Sequence, residues 1–185
     1  MKTSVLIPCI VLAVLSARAS AQDLNLLKNG AFADLGSDKM PAEWKVTATD
    51  QTIAQDKTQH PEKPAQSVSV ELKKAAEGQG ALTQTIKSPG PKVRLVLTAQ
   101  LKGTAERLGY VQVKLKKQGK ELRRERSEWN SAAWDQRKVE FSTDDADELT
   151  IECRFSQSDK AVGQTIWFAD VKLVEVKAAT TQANP

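Results

Sequence analysis

Apolar and polar residues alternate along most of this chain, with a period of two. Val68, Val70 and Leu72 interleave with Ser67, Ser69 and Glu71. Leu82, Gln84 and Ile86 form a second short run, and Val93, Leu95, Leu97, Ala99 and Leu101 a long third one. Val111, Val113 and Leu115 alternate with Tyr110, Gln112, Lys114 and Lys116; Leu149, Ile151, Cys153 and Phe155 alternate with Thr150, Glu152 and Arg154. Side chains two apart share one face of an extended strand, so each run predicts a strand with one apolar and one wet face. The closing stretch 167–176 (WFADVKLVEV) is apolar on both faces, which predicts a strand buried inside a sandwich rather than at its rim.

Turn chemistry separates the runs. Pro89-Gly90-Pro91 breaks the chain before the long strand, Gly103 ends it, Gln118-Gly119 turns a basic stretch back on itself, and Gly163 precedes the last strand. No segment keeps a helical period beyond one or two turns, and no phosphate-cradling loop is present, which disfavours an α/β nucleotide-binding fold. The expectation is an all-β chain: a two-sheet antiparallel β-sandwich whose alternating residues meet between the sheets.

Particular residues carry a family likeness. Residues 25–32 (NLLKNGAF) offer apolar Leu26 and Leu27, a turn at Asn29 and Gly30 and an anchor at Phe32, with Pro41 and Trp44 following. Gln84, Ile86 and Pro89-Gly90 lead into the long strand and Lys102-Gly103; Trp134, Val139 and Phe141 precede an acidic turn at Asp144, Asp145 and Asp147. Over residues 24–176 this layout resembles the CenC-type, galactose-binding-like carbohydrate-binding modules. The resemblance implies a jelly-roll sandwich with its first and last segments adjacent, and a non-catalytic, lectin-like role. It also implies that Trp44 and Trp134 are core anchors; Trp167, in the apolar closing strand, is expected in the core as well.

Composition changes this picture mainly at the ends. Lys2, the apolar run from Val5 to Val14 and the small residues Ala19, Ser20 and Ala21 have the layout of a secretory signal, with cleavage expected after Ala21. Residues 22–177 then make one module, and residues 178–185, small and polar, a disordered tail. Pro8 before Cys9 argues against lipidation, and no later apolar run reaches the ~18 residues a membrane span needs. The expected location is outside the cytoplasm: secreted, periplasmic or in the cell envelope. Cys153 is then left without a disulfide partner, and its place in an alternating run makes it a small apolar core residue. The formal charge of +4 loses two units with Lys2 and Arg18, so only local clusters bear on partners.

Candidate chemistry is sparse. His60 is the single histidine and has no catalytic pattern beside it, and one His with one Cys cannot make a closed zinc site. Asp144, Asp145, Asp147 and Glu148 share one turn, whereas a glycosidase acid and its partner flank the bond ~5 to 9 Å apart. No enzyme is expected. The resemblance implies a structural calcium between first and last strands, but Ala33 stands where an acid is usual and Asp34 is displaced by one place. Asp170 is left as the best side-chain ligand.

Sugar binding rests on exposed aromatic faces with polar side chains around them. Trp129 stands in a polar stretch, Ser127 to Ser131, and Tyr110, Gln112 and Lys114 share the face of one strand expected to be wet; these four are the candidate ligand-binding residues. The basic stretch holding Lys114, Lys116, Lys117, Lys120, Arg123, Arg124 and Arg126 reads as a solvated hairpin, with an anionic glycan as the functional alternative. It lacks the interleaved aromatics of a nucleic-acid site. The partner expected is a polysaccharide or glycan; the alternative role is an envelope structural or adhesion protein using the sandwich for protein contacts without a sugar site. Nothing in the pattern sets an oligomeric state.

Overall fold

Among the described residues ten strands form two five-stranded antiparallel sheets, with the period-two runs among them. The computed structural model describes residues 24–47 and 50–176, so the expected signal segment and tail lie outside the described residues. One sheet runs in the order β1 (Lys45–Thr47), β4 (Gln79–Lys87), β9 (Glu148–Ser156), β6 (Gly109–Lys117), β7 (Lys120–Arg126). The other runs β2 (Gln51–Asp56), β3 (Ser67–Leu72), β10 (Thr165–Glu175), β5 (Arg94–Gly103), β8 (Asp135–Ser142). Among the described residues the helical content is one 3-10 turn, Asp159–Ala161, and no helix is long and apolar enough to cross a membrane.

The alternation predicts the core correctly. Leu82, Leu97, Leu101, Val111, Val113, Leu149, Ile151, Phe168 and Leu173 are fully buried between the sheets. Cys153 lies among them; burial, helped by the neighbouring Glu152 charge, pushes its thiol well above the usual range and leaves it unreactive. The apolar closing stretch forms β10, the central strand of its sheet. Gln118 and Gly119 both adopt positive φ at the β6–β7 turn, as a two-residue hairpin turn matched to strand twist requires.

The first and last segments do adjoin. β3 pairs with β10 only at Thr165 to Phe168, and beyond that point residues 25–30 take over. Leu26 N donates to Leu173 O at 2.8 Å, Leu173 N to Asn25 Oδ1 at 2.9 Å, and Val171 N to Gly30 O at 2.9 Å. Gln84 closes this end: its Oε1 accepts from Lys28 N and its Nε2 donates to Lys28 O, both at 2.8 Å.

Three expectations need correction. Trp44 is a core anchor, buried against Phe32 at 5.3 Å, but Trp134 and Trp167 are only half-buried and lie outside the core. Trp134 precedes β8 in an irregular segment, and Trp167 alternates with the inward Ile166 and Phe168, which puts it on the outer face of β10. The third concerns β6: its outward face is largely dry. Tyr110 and Gln112 are 5% and 2% exposed.

Candidate functional site

Trp129 sits in the connection from β7 to β8, where the chain crosses between sheets, and its neighbours are pinned. Ser127 Oγ accepts from Val111 N at 3.2 Å and donates to Glu128 O at 2.8 Å. Asn130 is buried, and its Oδ1 accepts from Leu108 N and Gly109 N at 2.7 and 2.8 Å while its Nδ2 donates to Ala105 O and Ser131 O, both at 2.8 Å. That amide uses all four of its hydrogen-bonding positions. Gly103 makes room for it, since a Cβ there would stand 2.4 Å from Asn130 Nδ2. Pinned on both sides, the loop presents Glu128 outward and holds Trp129 half-buried.

The indole lines a cleft of about 620 Å³ shared with Glu106, Arg107, Arg126, Glu128 and Arg137. Its ring meets Tyr110 edge-on, centroids 4.8 Å apart at 79°. The Arg107 guanidinium lies 6.0 Å from the Trp129 centroid, and that of Arg126 lies 5.5 Å from Tyr110. Among the described residues, Glu106, Arg107, Arg126 and Glu128 have no ion-pair partner, so charged groups of both signs stand in one cleft without being neutralised by one another. Arg137 comes from β8 at a position alternating with the core residues Val139 and Phe141. Its Nη1 holds Asp135 at 2.9 Å, and its Nε is buried without a hydrogen-bond partner.

Of the sequence-predicted residues, the structure brings Trp129 and Tyr110 into contact and commits Gln112 and Lys114 elsewhere. Glu152, on β9 opposite Gln112, is 4% exposed and accepts from Gln112 Nε2, from Lys114 Nζ at 2.8 Å and from Arg154 Nη1 at 3.2 Å. Burial alone would raise its pKa, but the Lys114 and Gln112 hydrogen bonds and the Lys114 and Arg154 charges outweigh that and hold the carboxyl below its usual range. This network, rather than water, covers the middle of the β6 face.

The basic hairpin is largely neutralised internally. Lys116 pairs with Glu148 at 2.9 Å, Lys117 with Asp145 at 2.5 Å, Arg123 with Asp144 at 3.2 Å and Arg124 with Glu121 at 2.6 Å. Of the cations in that stretch, Lys120 and Arg126 are the ones without a carboxylate partner among the described residues. The acidic turn before β9 is thus the hairpin's counter-charge.

Asp170, the candidate calcium ligand, is engaged by a lysine. Its φ of +51° marks the β-bulge in β10, a left-handed conformation that Asp tolerates, and its carboxylate holds Lys172 at 2.7 Å. No three His, Cys, Asp or Glu side chains converge as a metal site among the described residues, so a calcium ion there would depend on backbone carbonyls for most of its ligands.

Trp167 has a structural tie instead of a free face. Its Nε1 donates to Asp56 Oδ2 at 2.9 Å, while Asp56 Oδ1 accepts from Thr58 N at 2.8 Å and Gln59 N at 2.9 Å. Burial raises the Asp56 pKa, but these bonds prevail and lower it from 3.8 to about 2. A depressed folded value means that the stabilisation is complete above pH 3.8 and disappears as pH falls toward 2. Asp56→Asn should therefore flatten the loss of melting temperature across that window; parallel acid limbs for wild type and variant would refute the assignment.

No family model and no curated protein matches this sequence. Solved structures do. A family 4 carbohydrate-binding module superposes with a TM-score of 0.58 at 12% identity, over 80% of this chain and 99% of that one. A family 61 module in complex with β-1,4-galactotriose superposes at 0.56 and 15% identity, over 83% of this chain and 99% of that one. The fold is the jelly-roll sandwich of such modules. The enzymatically active domain of tailspike protein 4 from bacteriophage CBA120 also matches, at a TM-score of 0.63 and 15% identity over 82% of this chain, but this chain spans only 21% of that one. At these identities the likeness concerns fold, and the chemistry rests on the cleft itself.

Proposed function

We propose that this chain is an exported, non-catalytic carbohydrate-binding module that docks a polysaccharide against Trp129. The observation that carries the reading is the preorganised indole: Ser127 and Asn130 on either side of it are buried and hydrogen-bonded, and it borders a cleft where Glu106, Arg107, Arg126 and Glu128 have no ion-pair partner among the described residues. An aromatic face takes the C–H side of a pyranose, and the free Arg and Glu groups donate to and accept from its hydroxyls. Solved carbohydrate-binding modules with the same sandwich support this reading. So does the signal-like segment over residues 1–21. Kinship to the CenC-type group is part of the proposal, on the residues that resemble it.

The ligand class follows from the charges. Arg107 and Arg126 stand beside Glu106 and Glu128 in the cleft, and the hairpin cations are mostly paired, so a neutral, hydroxyl-rich glycan fits better than an anionic one. Tyr110 supports the indole, while Gln112 and Lys114 belong to the Glu152 network.

Affinity electrophoresis against a panel of neutral and anionic polysaccharides tests this. Wild type should be retained by a neutral polysaccharide with little dependence on salt, and Trp129→Ala should weaken retention about thirtyfold, the equivalent of about 2 kcal/mol for a buried aromatic anchor. Because the side chain lies outside the core cluster, its melting temperature should stay near wild type. Absence of retention on every polysaccharide would remove the sugar reading in favour of a protein-interaction platform.

A further inference from the structure

The polar contacts on the outer face of β4, β9 and β6 form an unbroken series that ends at Trp129. Glu152 Oε2 accepts from Arg154 Nη1 at 3.2 Å, and Arg154 Nε donates to Gln79 Oε1 at 3.4 Å. The same Gln79 oxygen accepts from Tyr110 Oη at 2.6 Å, and the Tyr110 ring meets the Trp129 indole edge-on. The register supports the series: Tyr110 on β6 lies directly opposite Arg154 on β9, and Gln79 on β4 lies opposite Ser156, two residues further along β9. From these contacts we infer that the relay sets the pose of the Trp129 indole, and that Tyr110 and Gln79 are positioning residues for the glycan cleft. The inference rests on the proposed role of Trp129 but does not need the glycan's identity.

The physical reason is the entropy of an aromatic on a connecting segment. An indole that must be ordered when ligand arrives loses that ordering free energy from the affinity, whereas one already held does not. Hydrogen bonds to Ser127 and Asn130 fix the backbone on either side of Trp129, yet none of them restrains its side-chain torsions. The Tyr110 edge does, and Tyr110 is in turn restrained: its hydroxyl is bonded to Gln79, and Arg126 packs 5.5 Å from its ring. The hydroxyl explains why this position carries Tyr rather than Phe on a face that is 5% exposed. Among the described residues Gln79 is linked to the indole through Tyr110, which makes it the decisive position to change.

The test uses the full chain with its tryptophan indoles labelled with nitrogen-15. The Trp129 signal is assigned with Trp129→Phe, and Trp44, in the core, is the internal control. Gln79→Leu should shift or broaden the Trp129 indole signal and leave that of Trp44 in place. It should also weaken retention on the polysaccharide that wild type binds by about three- to tenfold, as expected when one hydrogen bond stops holding the site. Tyr110→Phe, which keeps the ring and removes the hydroxyl, should move the same signal in the same direction. A Trp129 signal unmoved in both variants would overturn the relay. Should wild type bind no polysaccharide, the function proposed above falls, while the indole signal still decides whether the relay exists.

Discussion

Glu152→Ala should destabilise this protein by about 3–5 kcal/mol, the range for removing one partner of a buried ion pair. In a domain of this size that is a drop of about 10 °C in melting temperature. The cost comes less from the lost attraction than from what is left behind. Lys114 and Arg154 have side chains 21% and 20% exposed, and both aim at the same carboxylate from neighbouring strands. Without it, two like charges face each other on a largely dry surface, and the Gln112 amide loses its acceptor. Glu152→Gln separates charge from shape, because it keeps the volume and an oxygen for Gln112 but removes the countercharge. Lys114→Ala should cost less than either, since Arg154 and Gln112 still serve the carboxylate. Acid removes this contribution: the Glu152 pKa is depressed by folding, so its stabilisation is complete above the ordinary carboxylate range and is lost as pH falls through the folded value. The gap between wild type and Glu152→Gln should narrow accordingly at low pH. Denaturant melts showing less than 1 kcal/mol for the alanine variant would mean that the network contributes nothing net.

Gly30→Val should be comparably damaging for a steric reason. A Cβ at Gly30 would stand 2.0 Å from Val171 O, a backbone atom of the central strand that cannot swing aside. The segment would have to lift from β10, breaking Val171 N to Gly30 O at 2.9 Å and straining Asn25 Nδ2 to Val171 O at 3.1 Å. Overpacking of this kind costs about 1–3 kcal/mol when the surroundings can relax and more when they cannot. The damage should begin locally: limited proteolysis should cut between residues 24 and 44 well before global unfolding. Cleavage kinetics equal to wild type, with an unchanged melt, would show that the first segment does not depend on this contact.

The sheets were largely legible in the sequence because burial on one face leaves a local signature. β3, β4, β5, β6 and β9 coincide with the alternating runs, since only a residue two places on can share the dry face, and β10 with the stretch apolar on both faces. β1 and β2 escaped, because Ile53 is the one large apolar residue in β2 and the strand lies at a sheet edge. The candidate site was legible in part. Trp129 stands out as an aromatic in a polar stretch, whereas Arg137 has a fainter signature, a charged residue in step with Val139 and Phe141. Tyr110 and Gln112 have the parity of an outward face, yet that face is dry, because Glu152 and Arg154 come to it from β9.

Alternation and turn residues along the chain, then, were enough to determine that it is all-β, that the apolar positions of the alternating runs face inward, and that Cys153 is one of them. Tertiary structure alone decided that Asp144 and Asp145 neutralise Arg123 and Lys117, that Asn25, Leu26 and Gly30 are the residues hydrogen-bonded to β10, and that Tyr110 backs Trp129. The division has one cause. Burial repeats every second residue and so can be read locally, but a charge or a ring is defined by whatever faces it, and here that partner arrives from a strand or turn distant in sequence.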